Sequence, residues 1–472
     1  MTEGSSGAPA PDSAQLTGFE RFLRFFTEIR PGEGRAAAIL FANVLLILCA
    51  YYFIKPLREG WLAVSGIEGL SKMELKAYSS FGQAVVLIGV VAGYSKLVGR
   101  WPRRVLIQRS TLFCMSNMVA FWLLQPGFFV ANLPVMGILF YLWVGIFGVF
   151  VVAQFWAFAA DLYDDESGKR LLPVIAIGAT SGAAVGSWLA QRLVESGLVP
   201  TEQLLLAALV PLGISVVLTG AADGATSPEH PPAPGQQLAA DPDRRGALEL
   251  VMSSRFLLAV AVVTLLLNWV NTNGENILFR VVQDSLEGQL AARGEQSDEA
   301  SLNFVRDGTT IFYGNFFFWV NVIALLLQAF VASRLLKFGG FGAIFLLLPV
   351  IAFTSYTAMA LVPLLPMIKA MKIAENATDY SINNTARHVL WLPMSSEITH
   401  RAKPTIDSLF VRAGDGLAAL TVMVGVQILA VSLEFFLVLN VFLVGFWLAL
   451  GIWIVREHRN RTESPEAPDA LG

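Results

Sequence analysis

Five polar residues, Lys372, Glu375, Asp379, Asn383 and Arg387, recur at spacings of three, four, four and four inside an otherwise apolar stretch. At 3.6 residues per turn that spacing lines them along one side of a helix. Ionisable groups within a membrane span are costly and ordinarily face a cavity, so a row with both charge signs does not belong against lipid. Arg and Lys side chains bind phosphate or carboxylate, Arg in a bidentate fork, while carboxylates hold those cations, change partners or carry a proton. Two further groups have the same chemistry. Lys55, Arg58 and Glu59 close the first apolar run, and Asn268, Asn271, Asn273, Glu275, Asn276 and Arg280 crowd one stretch later in the chain. The blander alternatives are a surface-lying amphipathic helix for the row, snorkelling for the first group, and a capped helix end for the Asn-rich stretch.

Composition dictates the scaffold that carries these groups. The chain has 472 residues, 55% hydrophobic and only 15% charged, against about 25% charged in a soluble domain. Its apolar runs are long and continuous, unlike the alternating segments of about ten residues that build a membrane barrel. They predict an all-α membrane protein of about twelve transmembrane helices, near 36–54, 78–96, 105–124, 135–160, 172–193 and 203–220, then 256–280, 309–332, 340–362, 367–391, 413–431 and 433–455. The near-equal halves suggest two six-helix bundles, 36–220 and 256–455, joined by a Pro-rich cytoplasmic linker, 221–255. A tail with an interfacial helix at Phe19 to Ile29 (1–35) and a charged cytoplasmic tail (456–472) complete the expected organisation. Lys and Arg concentrate in the segments on one side, including Arg100, Arg103, Arg104 and Arg109, which predicts both termini in the cytoplasm and Val281 to Gly308 as an acidic outside loop.

Other classes find little support. The net charge is −3, with no basic domain to bind nucleic acid. The two cysteines, Cys49 and Cys114, lie in apolar runs without metal-ligand spacing. No phosphate-binding loop or catalytic triad spacing is present, so an enzyme is not expected, and no cofactor is called for. Gly178, Gly182 and Gly186 recur every four residues, the pattern of a helix that a neighbour approaches closely. Trp61, Trp156 and Trp269 are read as belt or core residues, with stacking on a ligand the alternative.

With Gln154 and Asp161 of the fourth span, the polar residues fall in the first, fourth, seventh and tenth spans, the helices that line the cavity in the major facilitator arrangement, which this chain resembles. More narrowly, Tyr51-Tyr52-Phe53-Ile54-Lys55-Pro56-Leu57-Arg58-Glu59, the stretch Phe155-Trp156-Ala157-Phe158-Ala159 with Lys169-Arg170, Pro173, Gly178, Ala179 and Gly182, and Tyr380, Arg387, Ile406-Asp407, Arg412 and Gly414 are similar to motifs of the ATP/ADP translocases and their bacterial relatives. The resemblance implies nucleotide exchange, with Arg387 in place of a substrate-contacting Lys. The chain departs from those exchangers in having no acid between Pro134 and Ala160 and in reading Asn268-Trp269-Val270-Asn271 where they place a Glu.

The expected protein is a multi-pass transporter of the inner membrane that exchanges nucleotides or a related phosphorylated anion by alternating access. Its expected substrate-binding residues are Lys55, Arg58, Glu59, Asn271, Glu275, Lys372, Asp379, Asn383 and Arg387. Proton-coupled carriage of another organic anion, with Glu275, Glu375 or Asp379 as the proton site, is the alternative within transport. A non-transporting receptor or scaffold is the alternative outside it.

Overall fold

The computed structural model describes residues 33–98, 103–125, 135–163, 165–223, 244–294 and 298–463. Among them run twelve long helical segments: α1 (Glu33–Val64), α2 (Lys72–Val98), α3 (Arg103–Leu123), α4 (Met136–Asp161), α5 (Asp165–Glu195), α6 (Leu204–Asp223), α7 (Arg255–Arg293), α8 (298–332), α9 (Ser333–Leu361), α10 (365–390), α11 (396–428) and α12 (Leu433–Glu463). A short helix, Arg244–Ser253, precedes α7. The interfacial helix expected at 19–29, the outer parts of both tails and most of the central linker lie outside the described residues.

Continuous helix is what this sequence requires in hydrocarbon, where every backbone N–H and C=O must be satisfied within its own segment. Eight helical stretches are long and apolar enough to cross a membrane, one of them, Glu299–Leu361, spanning both α8 and α9. The polar row keeps α10 out of that group. Prolines sit inside α1, α5, α6 and α9 (Pro56, Pro173, Pro211 and Pro349), and neighbouring helices let a membrane helix tolerate them.

Two boundaries differ from expectation. The seventh span, expected to end near 280, runs on: α7 is capped at its start by Ser254, whose side chain accepts from the Leu257 N–H, and at its end by Gly294 in the left-handed conformation (φ 65°, ψ 21°). The Asn-rich stretch lies inside the helix and is not the capped end weighed as the alternative. The expected outside loop from Val281 to Gly308 is therefore helical over most of its length, with α8 resuming at Asp298. Its charged residues interrupt the apolar pattern but not the helix, as solvated extensions with pairs such as Arg280–Asp284 can do.

α1 packs against α5 along the glycine row. A Cβ at Gly178 would lie 2.8 Å from the Phe41 carbonyl oxygen, and Cβ atoms at Gly182 and Gly186 would run into the Leu45 and Cys49 carbonyls. The backbones can approach this closely only because these positions lack side chains. A Gly182→Leu variant should lose about 1–3 kcal/mol of stability, the cost of overpacking, and a lowered melting temperature in detergent would register it.

The first six helices meet the last six through α1 and α5 against α8, and through α2 against α7 and α11. Four polar ties across this seam, among the described residues, gather at one end of the structure. Gln427 donates to Glu74 Oε1 at 2.7 Å, Thr201 to Asp307 Oδ1 at 2.5 Å, Asn315 to Gln191 Oε1 at 3.2 Å, and Arg306 pairs with Glu202. They lie near the ends of α5 and α11 and the starts of α2 and α6, with the α8 partners between residues 306 and 315, so the halves are fastened there.

Candidate functional site

The first-half face of the seam carries a buried cluster of charge. Glu59, fully enclosed, accepts from Arg58 Nε at 3.0 Å and from Arg58 Nη2, and its other oxygen accepts from Lys76 Nζ. Arg58 also stacks over the Tyr141 ring at 4.2 Å, and Lys76 lies 4.7 Å from the same ring and 5.4 Å from Phe279 of α7. Two cations share one carboxylate, which leaves this cluster one positive charge in excess.

Lys55 adds a second. Its ammonium sits 4.0 Å from the centre of the Phe317 ring of α8, 4.9 Å from Tyr52 and 5.8 Å from Tyr51, with no carboxylate at ion-pair distance among the described residues. Cation–π contact in a desolvated place is worth about 2 kcal/mol, so the aromatic faces hold the charge without neutralising it. Tyr52 packs edge-on to Phe317 at 5.8 Å, which fixes the two halves' rings around the lysine.

The opposite face is built by α7 and α10. Lys372, wholly buried, donates to Asn271 Oδ1 at 3.0 Å and to Glu375 Oε2 at 2.9 Å. The Tyr356 hydroxyl lies 3.1 Å from the Val270 carbonyl oxygen and 3.4 Å from Glu375 Oε1. A Cβ at Gly274 would run into the Tyr356 hydroxyl and lie 2.8 Å from Lys372 Nζ, so a side chain there would displace this pair. Glu275 accepts from Asn376 at 2.9 Å and Asp379 from Asn383 at 2.7 Å; neither has a cation at ion-pair distance among the described residues. Glu275 is near enough to act electrostatically on Lys55 and on the buried Tyr313. The Tyr313 hydroxyl has no hydrogen-bond partner among the described residues, and the exposed Tyr380 ring lies within the electrostatic reach of Glu275 and Asp379.

Of the residues singled out in sequence, the structure groups Lys55, Arg58 and Glu59 on one face and Asn271, Glu275, Lys372, Asp379 and Asn383 on the other. Lys372 is committed to Asn271 and Glu375 and does not face open space. Arg387 is farther along α10, held by Asp407 at 2.5 Å with both side chains more than a third exposed. With Asn268, Asn383, Asp407 and Trp391 it lines a separate small cavity of about 30 Å³. Trp61 packs on Phe140 and Trp269 donates to Thr421, both as core residues.

Lys76 had no place in the sequence reading. Its signal was present, since Lys72, Glu74 and Lys76 immediately precede an apolar run, but only the helix start at Lys72 carries Lys76 into the interior. A turn with one extra residue, Asp379–Asn383, interrupts α10 within the polar row. Such π turns frequently occur at functional sites.

No family model and no curated relative matches the sequence. Among solved structures, the chain is similar to a bacterial homolog of the human lysosomal transporter Spinster in an inward-facing, unoccupied conformation, with TM-score 0.54, 14% identity, and 92% of this chain and 99% of that one covered. It is similar to the nucleoside transporter NupG, with TM-score 0.58, 12% identity, and 89% and 99% covered. A POT family transporter in complex with 5-aminolevulinic acid matches with TM-score 0.59, 11% identity, and 91% and 97% covered. Each of these is a membrane transporter, and together with the helical architecture they define the fold class: an all-α, multi-pass, major-facilitator-like membrane protein.

Proposed function

We propose that this protein is a secondary transporter that exchanges nucleotides, or a related phosphorylated anion, by alternating access of its two halves. The observation that carries this reading is the Lys55 ammonium, without a carboxylate at ion-pair distance among the described residues and held at the seam by aromatic rings from both halves beside a cluster of two cations and one carboxylate. A phosphate group would gain a charge-assisted bond from Lys55 and Arg58, and the Tyr51 and Tyr380 rings offer faces to a planar base. Lys372 serves by positioning Asn271 and holding Glu375. Arg387, paired with Asp407 in the separate small cavity, stands apart from this anion, so Arg387→Ala should change affinity by no more than about 1 kcal/mol, the worth of an exposed pair.

In this account the bundles are 36–220 and 256–455, the 221–255 linker and both termini face the cytoplasm, and the membrane is the inner one. The seam fastened near the ends of α5 and α11 is then the outer gate. Equilibrium binding of labelled ATP to the protein in lipid nanodiscs tests the site: saturable binding displaced by ADP is expected, and none at millimolar ATP would refute it. Proton-coupled carriage of another organic anion is the second reading, favoured by Glu275 and Asp379, whose only side-chain partners among the described residues are amides. Uptake driven by a pH gradient and abolished by Glu275→Gln would establish it.

A further inference from the structure

At the fastened end, a cavity of about 350 Å³ opens between α5, α7, α8 and α10. Its polar lining is Gln191, Ser285, Gln289, Asn315 and Lys369, with Phe312 among the apolar residues. None of the central residues, Lys55, Arg58 or Glu275, contributes to it. Its volume is at the lower end of the range found for small-molecule sites.

Lys369 is its one described cation. The ammonium donates to Asn315 Oδ1 at 2.7 Å and lies 5.0 Å from the Phe312 ring, so its partners are a neutral amide and an aromatic face. No carboxylate is within ion-pair distance of it among the described residues. A half-buried ammonium has three N–H donors, and with one amide acceptor and an aromatic face as its contacts it keeps donors for an anion that enters the cavity. Gln289 reaches the Ser285 hydroxyl at only 3.4 Å, a long bond that either group can give up to a ligand oxygen. Asn315 in turn donates across the seam to Gln191, which places any guest of Lys369 beside a tie between the halves.

We infer that this cavity is a second anion-binding site, in which Lys369 takes a phosphate or carboxylate group at the fastened end of the molecule, separate from the central cluster. Its role in transport rests on the proposed function, but anion binding there does not. The group could belong to a solute or to an anionic lipid, and the chemistry at Lys369 is the same for both.

The test is lysine acylation, followed by mass spectrometry, of the whole protein in phosphatidylcholine nanodiscs, as wild type and as Lys55→Gln. Inorganic phosphate at ten times its half-effect concentration should slow acylation of Lys369 about tenfold, equally in both proteins and without slowing the exposed Lys337. The same protection without phosphate in phosphatidylglycerol nanodiscs would identify a lipid headgroup as the source. The site is overturned if neither phosphate nor the anionic lipid protects Lys369, if Lys337 is slowed to the same extent, or if protection disappears in Lys55→Gln. A failure of ATP binding at the centre would leave the Lys369 result unaffected.

Discussion

Replacing Glu59 with glutamine lowers the melting temperature of the purified protein sharply, or prevents recovery of folded protein. Glu59 is the sole carboxylate for Arg58 and Lys76 among the described residues, and all three are buried. Removing it leaves two enclosed cations without their counter-charge, and breaking a buried pair from one side costs about 3–5 kcal/mol. That is a large fraction of an ordinary domain's stability of about 5–15 kcal/mol. The companion variant Glu59→Gln/Lys76→Met removes one cation with the carboxylate, restores the wild-type net charge of the cluster and should recover most of the loss. Detergent melting curves for the three proteins decide it; a Glu59→Gln protein as stable as wild type would mean that the cluster is not what holds these helices.

Replacing Lys55 with glutamine has the opposite profile. Lys55 leaves no buried carboxylate behind when it goes, because its contacts are the rings of Tyr51, Tyr52 and Phe317. The fold should therefore survive, with a melting temperature close to wild type. Losing a buried, charged contact to a substrate typically costs about 2–5 kcal/mol, much of it the penalty of leaving the other charge unpaired. Transport at low substrate should therefore fall about 30-fold or more. The pair of variants separates two roles that sequence alone merges, since Lys55 and Glu59 are four residues apart on one helix: one holds the fold, the other meets the solute.

Much of this was legible in the sequence. The apolar runs gave the helices, the glycines at 178, 182 and 186 marked a face of α5 that another helix approaches closely, and of the four spans singled out by polar residues α1 and α7 meet the other half at the seam. The rest was hidden for physical reasons. The row at 372, 375, 379, 383 and 387 assumes 3.6 residues per turn throughout, but the wider turn at Asp379–Asn383 adds a residue and rotates the helix beyond it. Lys372 and Glu375, before that turn, pack against α7 and α9, while Arg387, beyond it, departs toward Asp407. Lys76 was invisible because hydropathy begins a span where apolar residues begin, whereas the helix begins earlier and α1 and α7 cover it. The long extension of α7 was missed for the same reason: charged residues end an apolar pattern without ending a helix. Pairing is a tertiary property, and no periodicity distinguishes Lys372, bonded to Glu375, from Lys55, which has no carboxylate at ion-pair distance among the described residues.

The central claim is exchange through the site at the seam, and counterflow in liposomes tests it most directly. Purified protein is reconstituted with unlabelled ATP inside, and uptake of labelled ATP and ADP is followed with and without internal nucleotide, for wild type and Lys55→Gln. The account predicts saturable uptake that requires internal nucleotide and is lost in Lys55→Gln. Uptake that ignores internal nucleotide and follows a pH gradient instead, or nucleotide exchange undiminished in Lys55→Gln, would contradict it.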